Sequence, residues 1–243
     1  TIEPGSRKAQ KQFEAALRKN RKFALAHFWL GQNYENQENR LINAREYYQK
    51  AVYFDTAFVD AWMKLALVQE ELDQVNEAVK AYCKAYYNNQ ENQFVYRSFL
   101  DAALKFHGTK EARKTLEKLI KEQKENSQTW VDLAGMNFHL DDFAEAQSNL
   151  DKTPSTYITS QKMLVQAKIY FATKDTVNAQ GTYWKAVSAI KDFADGQLLL
   201  RDIAYLLNQK EYEDFRSLSI QEMPVFFHRF WKARDPNKAS RIN

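Results

Sequence analysis

Residues 59–92 read VDAWMKLALVQEELDQVNEAVKAYCKAYYNNQEN and set a pattern that returns along the chain. Trp62, Leu65, Ala66 and Gln69 fall on one face of a helix. After a break at Leu72–Asn76, Ala78, Tyr82 and Ala85 fall on one face of a second helix. This order of large and small residues suits two antiparallel helices. Bulky side chains fill gaps, and small ones let the backbones approach.

The same frame fits at Ala24, Gln93, Ser127 and Ser160, so successive starts lie 35, 34, 34 and 33 residues apart. The first of these units carries Leu30, Gly31 and Tyr34, then Ala44, Tyr48 and Ala51 one place late. That offset predicts a one-residue insertion in the turn near Gln37–Leu41. The Gln93 unit matches with Tyr96, Phe99, Ala112, Leu116 and Leu119, and the Ser127 unit with Trp130, Leu133, Ala134, Ala146 and Leu150. The Ser160 unit matches with Ala167, Tyr170, Ala179, Tyr183 and Ala186. Upstream, Ala9, Phe13 and Ala16 stand where a second helix carries them, so the chain opens on a back half-unit. Downstream, Leu200, Ile203, Ala204 and Leu207, then Tyr212 and Phe215, make a looser unit starting near 197. Trp62 and Trp130 hold one frame position and are expected to be buried between helices.

These units, with their spacing and their small–large order, resemble the tetratricopeptide repeat. The closing proline common in that family is missing from every unit. The resemblance implies an all-α, right-handed superhelix (solenoid) of antiparallel helix pairs over residues 1–215. Residues 216–243 then form a C-terminal helix and tail.

Composition agrees with an all-helical chain. Only 6 Gly and 4 Pro occur in 243 residues, and no proline lies between Pro4 and Pro154. Such breaker-free lengths argue against a fold built on many turns. No apolar run approaches the roughly 18 residues that span a bilayer. Thr1–Gln12 is mostly polar and does not read as a signal peptide. The chain starts at Thr, so it is expected to be a trimmed piece. Cys83 is alone, which excludes an internal disulfide. The net charge is +4, and Arg229, Lys232, Arg234, Lys238 and Arg241 against Asp235 account for all of it. The rest balances, whereas phosphate-backbone binding needs a broad basic surface; nucleic acid is not an expected partner.

After Phe215 the texture changes to RSLSIQEMPVFFHRFWKARDPNKASRIN. Ser219 and Glu222 have capping-box spacing, while Pro224 suits a helix start. Phe230, Trp231, Arg234, Asp235 and Pro236 resemble the opening of the bacterial GWxTD domain, although the GWxTD stretch itself is absent. That resemblance implies a bacterial source and favours the cell envelope, periplasmic or lipoprotein-anchored. Four aromatics, Phe226, Phe227, Phe230 and Trp231, cover more than one helix face. One pair is expected to cap the last repeat, and the other to stay exposed or meet a second copy as a homo-oligomer contact.

Little in the sequence carries chemistry. The glycines are isolated, so no phosphate loop is present. His27, His107, His139 and His228 lack partners at metal-ligand spacing. His139 beside Asp141 and Asp142 falls in an inter-helix turn, and Cys83 follows a core tyrosine in a helix. No catalytic residue, metal site or cofactor is expected, and the chain reads as non-enzymatic.

What remains is surface. The repeat resemblance places positions 5, 9 and 12 of each first helix on an inner, concave face. Here these are Phe28, Gln32 and Glu35; Met63, Leu67 and Glu70; Arg97, Asp101 and Leu104; Val131, Gly135 and Phe138; Leu164, Lys168 and Phe171. The expected partner-binding set is Phe28, Gln32, Met63, Leu67, Arg97, Asp101, Phe138, Lys168 and Phe171. Apolar anchors with a few charges between them suit a peptide or helix of a partner protein. The other reading is the recognition arm of a larger protein whose further domain lies outside this chain.

Overall fold

The computed structural model describes residues 7–234. Its described regular structure is wholly helical: fourteen α-helices and two 3-10 turns, without a strand. The helices are α1 (Arg7–Lys19), α2 (Ala24–Glu35), α3 (Leu41–Phe54), α4 (Val59–Glu71), α5 (Val75–Asn88), α6 (Gln93–Lys105) and α7 (Thr109–Lys121). They continue with α8 (Ser127–His139), α9 (Phe143–Asp151), α10 (Ser160–Ala172), α11 (Thr176–Ser188), α12 (Phe193–Ile203), α13 (Gln209–Arg216) and α14 (Met223–Arg234). Five of the first helices start where the sequence frame does, at Ala24, Val59, Gln93, Ser127 and Ser160. The one-residue insertion expected near Gln37–Leu41 is present, since α3 starts 41 − 24 = 17 residues after α2 whereas α5 starts 75 − 59 = 16 after α4.

The sixth first helix departs from expectation. It begins at Phe193 and not near 197, because Asp192 caps it through the Asp195 amide at 2.9 Å. Ala204 lies in a 3-10 turn, Ala204–Leu206, where the 3.6-residue period that placed it on a helix no longer holds.

The described residues form two compact units, one running to Lys124 and one starting at Glu125. The C-terminal helix α14 falls within the second unit and packs on α11. In the first unit α2 pairs with α3 and α4 with α5, α6 packs with α7, and α1 leans on α2 as the expected back half. Ala44, Tyr48, Ala51, Ala78 and Ala85 are fully buried, so the small–large frame is the core. Gly31 shows why a glycine is needed there. A Cβ on it would stand 2.6 Å from the Tyr48 ring, which fills the space beside it.

With few glycines, the turns between helices use other residues. Asp73, Asp141 and Lys174 each take positive φ, at 57°, 61° and 65°. Around each, the next amide bonds back five residues: Gln74 to Gln69 O, Asp142 to Asn137 O and Asp175 to Tyr170 O, at 2.8, 2.9 and 2.8 Å. This is the Schellman closure, which satisfies carbonyls left over at a helix end.

Two tryptophans differ from expectation. Trp62 and Trp130 are half-buried, not buried. Trp62 sits at a rim, its Nε1 donating to Thr56 O at 2.9 Å, and the Lys152 ammonium lies 4.4 Å from the Trp130 ring centre. An indole N–H needs a polar partner, which Trp62 meets near the surface, while the Trp130 ring face meets the Lys152 cation.

In the second unit the C-terminal block closes the core. Phe226, Phe227 and Phe230 are buried with Phe215, Met223, Leu199 and Ile203. Trp231 packs against the same cluster and donates to Tyr183 Oη at 2.9 Å. Both aromatic pairs therefore pack on their own chain, which corrects the expectation that one pair stays free for a second copy. The faces are filled because α14 lies over α11 and follows Phe215 closely, so neighbours meet it on several sides. The Ser219–Glu222 box forms, with Ser219 N donating to Glu222 at 2.8 Å, and Pro224 sits in the first turn of α14. Arg234 binds Glu211 at 2.7 Å and Leu206 O at 2.9 Å. Asp235, Pro236, Lys238 and Arg241 lie outside the described residues.

Candidate functional site

The nine expected partner-binding residues fall in both units. In the first unit, Phe28 and Met63 are buried, at 6% and 5% exposure. The Phe28 ring lies tilted against Phe58 at 4.9 Å and against Tyr48 at 5.7 Å. In this structure both side chains lie in the core, Phe28 against Phe58 of the next repeat. Gln32 and Leu67 are half-buried, and Arg97 and Asp101 are exposed.

The twelfth positions of this unit are more telling. Glu35 accepts from Tyr48 Oη and from Lys64 Nζ, the latter at 2.8 Å. One unit later, Glu70 makes the same pairing with Tyr82. Burial first, and then the neighbouring carboxylate, push both tyrosine hydroxyls well above their ordinary range. The Tyr48–Glu35 bond ties a first helix to its own second helix through a charge-assisted hydrogen bond, and Glu70 faces Tyr82 in the same way.

In the second unit the equivalent positions are aromatic. Phe138 is half-buried against the Val131–Ile169 core, with Phe143 5.4 Å away. Phe171 is 72% exposed. Val131 and Leu164, also inner positions by the frame, are core residues. Lys168 lies between neighbouring helices: its Nζ is 6.0 Å from the Phe138 ring centre in α8 and 2.7 Å from Asp202 in α12. The tyrosine of this pair, Tyr183, has no glutamate opposite and accepts instead from Trp231; burial raises its hydroxyl to about 12.

Two features escaped the sequence. Tyr205, in the 3-10 turn after α12, is 83% exposed at the same helix end as Phe171. Its turn breaks the period that would have flagged it. Lys64 was not read as a partner of Glu35, since the two are 29 residues apart and on different frame positions.

The remaining chemical candidates are inert or structural. Cys83 is buried, and burial pushes its thiol up to about 12, so it is not a nucleophile. Asp142 caps α9 through the Glu145 amide at 3.3 Å, which gives the His139–Asp141–Asp142 cluster a turn-forming role. Among the described residues, no group of acidic, histidine or cysteine side chains is placed to hold a metal. Nor is any described helix long and apolar enough to cross a membrane.

Residues 5–58 match the tetratricopeptide repeat family. That match covers the first full helix pair and does not reach the C-terminal block. No curated protein matches the chain. Among solved structures, YrrB, described as a TPR protein with an unusual peptide-binding site, is 16% identical over 76% of this chain and 96% of its own, with a TM-score of 0.46. MamA is 15% identical over 78% of this chain and 95% of its own, with a TM-score of 0.35. The Naa15/Naa10 complex bound to HypK-THB offers a chain 16% identical over 93% of this one and 39% of its own, at a TM-score of 0.46. The repeat architecture of this chain rests on its own helix spacing.

Proposed function

We propose that the chain is a non-enzymatic scaffold that binds a peptide or helix of a partner protein on the faces of its first helices. The observation that carries this reading is Phe171, a large ring left 72% exposed on such a face beside the half-buried Lys168. An interaction surface presents such a ring on its binding face. Arg97 and Asp101 supply exposed charges on the equivalent face of the first unit. A cell-envelope location belongs to the same proposal and follows only from the resemblance of Phe230, Trp231 and Arg234 to a GWxTD opening. The test is capture of the partner from the native source, with Phe171→Ala and Arg97→Glu made separately. Loss of capture in at least one variant with an unchanged circular dichroism spectrum is expected. Full capture by both would move the binding surface off the first helices.

A further inference from the structure

The net charge hides an uneven distribution. In the first unit, the second helices α1, α3, α5 and α7 hold fourteen Lys and Arg against five Asp and Glu, whereas α2, α4 and α6 hold three against five. In the second unit, α9, α11 and α13 also hold three against five. The excess lies on one side of the first unit's second helices. Ala9, Ala44, Ala78 and Ala112 mark their buried sides. The residues two before each alanine, and two, six and nine after it, point the opposite way on a helix of 3.6 residues per turn. Those sixteen positions carry ten cations and one carboxylate, Glu46, and all are exposed except the half-buried Ala15 and Tyr87. The cations are Arg7, Lys11 and Arg18 in α1, Lys50 in α3, and Lys80 and Lys84 in α5. Helix α7 adds Lys110, Lys114, Lys118 and Lys121. Among the described residues, only Lys114 and Lys118 of the ten form ion pairs, with Glu111 at 3.6 Å and Glu122 at 3.7 Å. Ile42 and Tyr53 stand among them on α3, 56% and 77% exposed.

We propose that this outer side of the first unit lies against a membrane leaflet rich in anionic phospholipid. Equivalent positions in stacked repeats face the same way, so the cations form one surface. That surface extends in two directions. Arg7 and Arg18 stand about 16 Å apart along α1, at about 1.5 Å per residue, and Lys80 and Lys114 repeat Lys11 on other helices. A single acidic peptide meets one or two of these helices; a sheet of phosphate headgroups meets all four, and each cation near it adds attraction. Two further observations favour lipid over a nucleic-acid backbone. Eight of the ten cations are lysines, point charges without the planar fork that arginine offers to nucleic-acid phosphates. Ile42 and Tyr53 suit the boundary between headgroups and acyl chains, and have no role on a phosphate backbone. The first helices pack on the other side of α1, α3, α5 and α7, so their faces stay open to a partner. The inference stands apart from the scaffold reading, and either can fail alone.

The test is co-sedimentation of the full chain with vesicles of phosphatidylcholine alone or with phosphatidylglycerol added. The chain is expected to bind the anionic vesicles at least about tenfold more tightly, and added salt to weaken that binding. Lys11→Gln/Lys80→Gln/Lys84→Gln removes three exposed cations that form no ion pair among the described residues. At about fivefold per cation, it is expected to weaken anionic-vesicle binding about a hundredfold. A control, Lys185→Gln/Lys191→Gln/Lys210→Gln, removes the same charge from exposed positions of the second unit and is expected to bind as the parent chain does. Circular dichroism checks that both variants keep their fold. Equal binding to the two vesicles, binding to neither, or equal loss in the two triple variants overturns the inference. So does tighter binding to duplex DNA or to polyglutamate than to the anionic vesicles, which would give the surface to a nucleic acid or an acidic protein.

Discussion

The two units use the same frame for different ends. In two of the first unit's three helix pairs, the twelfth residue of the first helix is a glutamate facing the tyrosine of the second: Glu35 with Tyr48, Glu70 with Tyr82, whereas the α6–α7 pair has Leu104 and Leu116 there. In the second, that residue is phenylalanine, and the equivalent tyrosine, Tyr183, turns to Trp231 of the C-terminal helix. The buried small–large pattern is alike in both, with Ala44, Tyr48 and Ala51 against Ala179, Tyr183 and Ala186. What changes is the residue that faces out. Where a carboxylate spends itself on an internal bond, the face is structural. Where a ring replaces it, the proposed binding face presents that ring.

The largest effect should come from removing the device that only the second unit has. Phe227 is fully buried among Phe215, Phe226 and the α12 leucines, so Phe227→Ala is expected to cost about 3–5 kcal/mol in urea unfolding. Trp62→Ala in the first unit, at a half-buried rim, is expected to cost clearly less. If the tryptophan change costs as much as the phenylalanine change, α14 is not the main closure of its core.

Tyrosine-to-phenylalanine changes then compare the two kinds of partner. Tyr183→Phe leaves the Trp231 N–H without its acceptor and is expected to cost about 1–2 kcal/mol. Tyr48→Phe leaves Glu35 with Lys64 at 2.8 Å, so about 0.5–1.5 kcal/mol is expected. Replacing Lys64 by Met as well should make the Tyr48 change costlier, because the half-buried Glu35 then loses both partners. Strict additivity in that double-mutant cycle would show that the three side chains do not act together.

Acid should weaken both units through a histidine whose pKa burial lowers, His27 in the first and His139 in the second. His27 in the first unit lies between the rings of Tyr47 and Phe54, 6.0 and 5.3 Å away, and its Nε2 bonds to Arg21 O at 2.9 Å. Burial, and to a lesser degree the Lys50 charge, hold its pKa below the ordinary 6.5, against the pull of the Arg21 carbonyl. The unfolded chain therefore takes up a proton at a higher pH than the folded one. Stability is expected to fall as pH drops through 6.5 toward the lowered value, and to level off below it. A His27→Gln variant should lose the part of the pH dependence that His27 supplies and keep the part from His139, whose pKa burial also lowers; an unchanged profile would mean that His27 does not titrate on unfolding.

The repeat frame was legible because its buried positions are chemically constrained. Ala44, Gly31 and Tyr48 admit few substitutes, and the five first-helix starts follow from them. The binding face was only partly legible. Phe28 and Phe171 look alike in sequence, yet Phe58 from the next pair covers the first and nothing described covers the second to that degree. Burial there depends on a neighbour's side chain, which a single helix pattern does not contain. Tyr205 was hidden for another reason, since a 3-10 turn shifts the period at the end of α12.

The smallest effect concerns turns. The period marks where each turn lies but not the backbone state within it, because Asp73 and Lys174 are not glycines. Both hold positive φ, at 57° and 65°, in Schellman closures. A side chain in the left-handed region is strained, and a glycine is not. Glycine also loosens the unfolded chain, which offsets part of the gain. Lys174→Gly is therefore expected to stabilise the second unit by about 0.5–1 kcal/mol. Asp73→Gly is expected to do the same for the first. The turn at Lys174 lies at the exposed end of α10, beside Phe171. If the rings there form a binding surface and the turn only supports it, Lys174→Gly should raise the urea midpoint and leave partner capture nearly unchanged. A raised midpoint with lost capture would show instead that the Lys174 charge itself meets the partner. A lowered midpoint would mean that the lysine stem packs on Phe171, and that the ring is less free than its exposure indicates.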